Sequence, residues 1–323
     1  MAGQRRRPAP ACTALPAVLD DSRSHRKSGL GGRNFGRHAG EHVSSVERAL
    51  AFSCGEARLY GVLSLPDGGC SRGVLIVVGG PQYRIGSHRQ FTLLARSLAA
   101  NGIAAMRFDY RGMGDSEGPM RDFETIGDDL RAAVGAFVQA VPDMQEVVLW
   151  GLCDGASAAA MYAADDSRVS GLVLLNPWVR TAEGLARTTL KHYYRGRLLD
   201  AAFWRKLVRG RFDLVQSLKS MAGLVKDATS AATDAPLHER MHAGLRAFGG
   251  PVMIIIGGAD LTGREFCDLA ASVPAWKRLL DGPHVTWRRL DKADHTFSRR
   301  VWRDQVSDWT CQWVQALPPL GGG

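Results

Sequence analysis

The chain has 323 residues, 41 Lys and Arg against 32 Asp and Glu, and a formal net charge of +9. With 45% hydrophobic and 23% charged residues it holds enough apolar side chain for a sizeable core, which excludes wholesale disorder. No apolar run approaches the roughly 20 residues of a membrane span, so no transmembrane segment is expected.

Residues 1–45 are rich in Arg, Ser, Gly and Pro, show no periodicity and read as a disordered basic tail. The stretch after Arg5-Arg6-Arg7 is broken by Pro8, Pro10 and Pro16 and ends at Asp20-Asp21, which suits a signal peptide poorly. A cytoplasmic protein with free thiols is therefore expected. Its cysteines (Cys12, Cys54, Cys70, Cys153, Cys267, Cys311) contain no CxxC and no Cys/His cluster, so no metal site is expected, and the acyl-transfer chemistry read below requires no organic cofactor.

From Ala49 the pattern changes. Ala49–Ser53 and Leu59–Leu65 flank Gly55-Glu56 as an N-terminal hairpin. Gly73–Val78 is a buried strand closed by Gly79-Gly80-Pro81, and Gln90–Ala100 is a helix. Ile103–Phe108 is a strand, Asp122–Val141 a helix, Val147–Trp150 a strand and Ala156–Ala164 a helix. Val169–Leu175, Val252–Ile256 and Val285–Leu290 are strands, and Ser298–Ala316 closes the chain as a helix. Short apolar strands alternating with helices imply an α/β fold, a mainly parallel sheet with helices on both faces. Between Asn176-Pro177 and about Gly249 the alternation stops. The core is thus expected over 46–178 and 249–323, with a helical cap inserted at 179–248.

Gly151-Leu152-Cys153-Asp154-Gly155 lies between a strand and an alanine-rich helix, the context in which G-x-S-x-G forms a nucleophile elbow. The central residue here is cysteine, whose thiolate would be favoured at a helix N-terminus. The plainer alternative is a packed core thiol, since free cysteine is commonly buried. A nucleophile needs a base and the base an orienting acid. Asp260 follows the strand Val252–Ile256 and His295 the strand Val285–Leu290, in the order nucleophile, acid, histidine. Asp260 could instead cap a helix starting near Thr262. Asp294 competes as the acid, but is adjacent to His295 and poorly placed to meet its ring. His88, in Gly86-Ser87-His88-Arg89, is the second candidate base and borders the expected cleft with Arg84. For the oxyanion hole, Asp154 would give one backbone N–H. The loop after Gly73–Val78 would give the other, from Gln82 by preference or from Gly80, since Pro81 has none.

Taken together these residues resemble the α/β-hydrolase superfamily. Asp109-Tyr110-Arg111-Gly112-Met113-Gly114-Asp115-Ser116 is similar to its D-x-R-G-x-G-x-S loop, expected to be architectural. Gly79-Gly80-Pro81-Gln82-Tyr83-Arg84, Gly86-Ser87-His88-Arg89 and Trp150-Gly151-Leu152-Cys153-Asp154 resemble the hydrolase 1 family associated with the exosortase A system, found beside exopolysaccharide genes. The resemblance implies a hydrolase or acyl-transferring enzyme acting on a small-molecule or glycan-linked acyl substrate. Cysteine at the elbow also resembles dienelactone hydrolases and polyhydroxyalkanoate synthases, which brings in a coenzyme A thioester as acyl donor and an alcohol as acceptor. A non-catalytic scaffold would require a defective triad, and all three members are present.

The charge is uneven: residues 1–45 carry +5, residues 180–226 carry +8, and the remainder −4. No helix-turn-helix, RNP or OB-type signal accompanies the basic residues, so nucleic acid is not an expected partner. A basic cap would instead attract an anionic substrate or make peripheral contact with an anionic membrane.

Overall fold

Alternating burial along Ala57–Leu65 (β2), with Leu59, Gly61 and Leu63 inward, marks a strand with one covered face. It pairs antiparallel with Val46–Cys54 (β1) across the Gly55-Glu56 turn, from Val46 opposite Leu65 to Cys54 opposite Ala57. The computed structural model of the protein describes residues 46–80, 82–179 and 235–318. The expected tail, and the part of the expected cap at 180–234, lie outside these.

Arg72–Val77 (β3), Ala104–Asp109 (β4), Glu146–Leu152 (β5), Val169–Leu175 (β6) and Val252–Gly257 (β7) are buried almost throughout, as continuous apolar runs require in a sheet covered on both sides. Val285–Leu290 (β8) is the exception. It pairs only with β7, and Trp287, Arg288 and Arg289 are exposed, so it is an edge strand and not a buried one. The eight strands run in the order β1-β2-β4-β3-β5-β6-β7-β8. Strand β2 is antiparallel to both its neighbours and every pairing from β4 onward is parallel.

Gln90–Ala100 (α1) and Arg300–Ala316 (α7) cover one face, packing Phe91, Leu98, Val306 and Val314 on Ile76, Trp150 and Val173. Gly127–Ala140 (α2), Asp154–Tyr162 (α3), Leu237–Phe248 (α4), Leu261–Ser272 (α5) and Pro274–Leu280 (α6) share the core of the other. This is the α/β-hydrolase fold. Among the described residues, no helix is long and apolar enough to cross a membrane.

Three departures from the sequence pattern have local causes. The helix expected over Asp122–Val141 begins as a 3-10 turn at Phe123–Thr125, because Asp122 caps it by accepting the Glu124 N–H. Phe123 then turns inward against Trp178, their rings 5.5 Å apart, and α2 starts afresh at Gly127. Helix α6 follows directly on α5 with Pro274 in its first turn, a start signal the apolar periodicity did not register. Helix α4 falls in the last part of the expected cap, yet it buries Leu237, Met241 and Leu245 in the core. A Cβ at Gly244 would strike the Ala160 carbonyl, so this helix lies directly on α3 as part of the layer beneath any cap.

Candidate active site

Strand β5 delivers Cys153 into a backbone conformation that L-residues seldom adopt, φ 59° and ψ −124°. The flanking glycines make that turn sterically possible. A Cβ at Gly151 would lie 2.5 Å from the Ala156 nitrogen, and one at Gly155 would collide with the Val77 carbonyl. The turn is fastened on both sides. The Cys153 N–H donates to Leu175 O at 2.9 Å, and the Cys153 carbonyl accepts from the N–H of Ala156 (3.0 Å) and Ser157 (3.2 Å). Cys153 is half-buried, as are Cys70 and Cys267, whereas Cys54 and Cys311 are buried.

The structure brings together the three residues the sequence separated. His295 Nδ1 lies 3.0 Å from Asp260 Oδ1, and its other nitrogen is left for the hydrogen bond with the Cys153 side chain. Those two bonds, Asp260 first and Cys153 second, outweigh burial and push the imidazole up from 6.5 to about 10. Asp260 fills both roles that the sequence set against each other. Its Oδ2 caps α5 by accepting the Gly263 N–H at 2.8 Å while Oδ1 holds the histidine. Asp294 faces away: it receives Ser298 through both the N–H (2.9 Å) and the hydroxyl.

Asn176, with none of its surface exposed, escaped the sequence reading except as a boundary mark. It follows β6 with φ 40°, a conformation Asn tolerates better than most residues. Its Nδ2 donates to the His295 carbonyl at 3.0 Å, and its Oδ1 accepts the Gly257 N–H at 2.7 Å. One side chain thus ties the end of β7, which leads to Asp260, to the loop that carries His295. The Asn-Pro pair after a buried strand was the available signal.

The region above Cys153 is occupied by a neighbour's side chain. The Asp154 carboxylate meets the backbone N–H groups of Asp154, Gly80 and Gly155 and the Cys153 thiol. Burial is the largest influence and raises its pKa, with the N–H groups opposing. A Cβ at Gly79 would collide with this carboxylate, so only glycine leaves room for it. The Gln82 N–H, preferred from the sequence as the second oxyanion donor, instead donates to Gly80 O at 2.7 Å and is engaged. The Gly80 N–H, which shares the carboxylate with the Asp154 N–H, has the better position.

Arg84 and His88 stand elsewhere. Arg84 ion-pairs with the buried Asp109 and reaches Asp115 at 2.7 Å, while its N–H donates to Asp109 Oδ1 at 2.7 Å. Tyr83 donates its hydroxyl to Asp115. These bonds lash the loop at 82–84 to the D-x-R-G-x-G-x-S loop, so the Arg84 charge is committed within the wall. The second loop is itself braced by Arg111 on the buried Asp129 (2.7 Å) and by Ser116, which donates to Asp109 O at 2.6 Å. His88 sits at φ 53° with its carbonyl accepting from Arg303 at 3.0 Å. His295, not His88, is the histidine brought to Cys153. Among the described residues, no group of three or more His, Cys, Asp or Glu could hold a metal ion.

Residues 69–265 match the model of the family described as serine aminopeptidase, S33, and the chain belongs to that family. The family is named for serine; the elbow here carries Cys153. An esterase from Pyrococcus furiosus is similar in structure, with TM-score 0.61 and 17% identity over 88% of this chain and 97% of that one. A dienelactone hydrolase from Anabaena variabilis gives TM-score 0.55 and 16% identity over 85% of this chain and 99% of that one. At such identities the likeness is one of fold. The quorum-quenching protein AidA of Acinetobacter baumannii is 33% identical over 94 residues, 28% of this chain and 31% of that protein. The match thus spans about a third of that relative's length.

Proposed function

We propose that this member of the serine aminopeptidase S33 family is a cysteine-dependent hydrolase that cleaves esters or thioesters through a covalent acyl-enzyme. The observation that carries this reading is the chain of contacts Cys153–His295–Asp260 at the ends of three parallel strands. The proton shared by Cys153 and His295 rests on His295, where Asp260 helps hold it, so the sulfur is ready to attack. Sulfur attacks the acyl carbon, a C–S bond forms, and the carbonyl oxygen takes the negative charge against the N–H groups of Asp154 and Gly80. Collapse breaks the bond to the leaving alcohol or thiol, which takes the proton from His295. Water then gives a proton to His295 and attacks the thioester, releasing the carboxylate product and the Cys153 sulfur. The Asp154 carboxylate must turn away for the substrate oxygen to enter.

The motif resemblance to the exosortase-associated family supports an acyl group carried on an exopolysaccharide-related molecule. The +8 of residues 180–226 supports an anionic carrier such as a coenzyme A thioester, with an alcohol able to replace water as acceptor. Turnover of p-nitrophenyl acyl esters and acyl-coenzyme A by wild type and Cys153→Ala tests the proposal. The variant is expected to lose at least about 10³-fold in kcat with its thermal midpoint nearly unchanged. Retained activity would assign the chemistry to another nucleophile.

A further inference from the structure

On the face of the sheet covered by α1 and α7 there is a cleft of about 160 Å³, and none of Cys153, Asp260 and His295 lines it. Leu94, Leu175 and Phe297 give it an apolar wall. Gln90, Trp150 and Arg303 also line it, and each brings a hydrogen-bond donor shielded from solvent without a partner: Gln90 Nε2, Trp150 Nε1 and Arg303 Nε. Gln90 and Trp150 are more than nine-tenths buried. An indole N–H and a guanidinium N–H can only donate. Leaving such groups unpaired in the interior is costly, so three of them around one cleft point to a missing acceptor. Ser307 Oγ, also in the lining, has no partner beyond the Cys311 thiol, and as a hydroxyl it can donate or accept.

Charge narrows the choice. Asp304 and Asp308 line the same cleft together with Arg303, and Arg300, outside it, pairs with Asp304 at 3.3 Å. Two carboxylates against one guanidinium in the lining leave no excess positive charge to hold an anion. Size narrows it further, since a cavity of about 150 Å³ lined by apolar side chains accommodates benzene. We infer that this cleft is a second binding site, for a compact uncharged molecule with an apolar body and a carbonyl oxygen that accepts from Trp150, Gln90 and Arg303. Phe297 belongs both to the lining and to the loop that carries His295, so an occupant would touch that loop.

Benzamide is the probe, with benzoate and benzene as its charged and acceptor-free counterparts, titrated into the full chain and followed by indole N–H resonances. The Trp150 signal is identified by its loss in Trp150→Phe. It is expected to move downfield saturably with benzamide, and to do so in Cys153→Ala as well. Benzoate and benzene should bind at least about fivefold more weakly, and Gln90→Leu should weaken benzamide by a similar factor. A Trp150 resonance that stays in place at high benzamide would overturn the site, whether water alone fills it or the probe binds elsewhere. Equal affinity for benzene would overturn the acceptor. If Trp150→Phe does not fold, Gln90→Leu and Arg303→Met, with their own side-chain N–H signals, carry the same decision.

Discussion

The two sides of the candidate site are built in opposite ways. The nucleophile side is mostly local: β5, the turn at Cys153 and α3 are consecutive, and the turn is bonded to its own next helix, with the Cys153 N–H on Leu175 O and Gly155 against Val77 as its ties to neighbouring strands. The acid and base side is assembled from a distance. Asp260 follows β7, His295 follows β8, and Asn176, which braces them, ends β6. The local side takes most of its shape from its own sequence, whereas the assembled side depends on buried polar bonds between segments that are far apart in the chain. The assembled side is therefore where single substitutions should separate catalysis from folding.

Asp260→Asn gives the largest expected effect. Asparagine is as good a helix cap as aspartate, so α5 should keep its start while His295 loses the carboxylate that orients it. We expect kcat to fall by about 10⁴-fold, with the loss of stability confined to the weakened His295 pairing, as measured by ester turnover and denaturant unfolding. Asp260→Ala should add a cap penalty of about 1 kcal/mol, and equal stability of the two variants would separate the carboxylate from the cap.

Asn176→Ala comes next. It would leave the buried Gly257 N–H and the His295 carbonyl without their partner, and should cost about 2–3 kcal/mol in urea unfolding. As a positioning residue it should lower kcat more than it raises KM, and shift the pH profile of kcat along with the loosened histidine. An unchanged pH profile would reduce it to a structural role.

Asp154→Ala tests the local side, with a smaller effect of opposite sign. Removing the carboxylate frees the N–H groups of Asp154 and Gly80, so kcat/KM should rise about tenfold, equivalent to roughly 1.4 kcal/mol of barrier. A fall would give that carboxylate a positive part in the reaction.

The smallest effect concerns pH and stability. The folded pKa of His295 lies above its unfolded value, so the protonated ring binds its partners and stabilises the fold below pH 6.5. That contribution is lost as pH rises through about 10. The stability of wild type relative to His295→Gln, from urea midpoints, should therefore shrink between pH 6.5 and 10. A gap that widened over this range would reverse the sign of the interaction.

What the sequence made legible follows the same division. The elbow was readable because glycine, nucleophile and glycine stand at fixed spacing between a strand and a helix, and every requirement is met within a few residues. Strand β6 and helix α1 were readable to the residue from an apolar run and helical periodicity, and the bounds of β8 also matched although its exposed Arg288 and Arg289 make it no apolar run. Asp260 and His295 could be placed at strand ends, but not their contact, which needs the tertiary arrangement of β7 and β8. Asn176 gave no pattern, because its role lies in two hydrogen bonds to residues about 80 and 120 positions away. Gln82 was preferred over Gly80 because a sequence does not show an N–H already engaged by a neighbouring carbonyl.

The acyl-enzyme itself is the most direct test of the central claim. Wild-type protein mixed with a p-nitrophenyl acyl ester, acid-quenched within the first turnover and measured as intact mass, should gain one acyl group. Peptide mapping should place that group on Cys153, and Cys153→Ala should show no gain. An acyl group on any other residue, or turnover with no acylated protein at any quench time, would contradict a cysteine-bound intermediate.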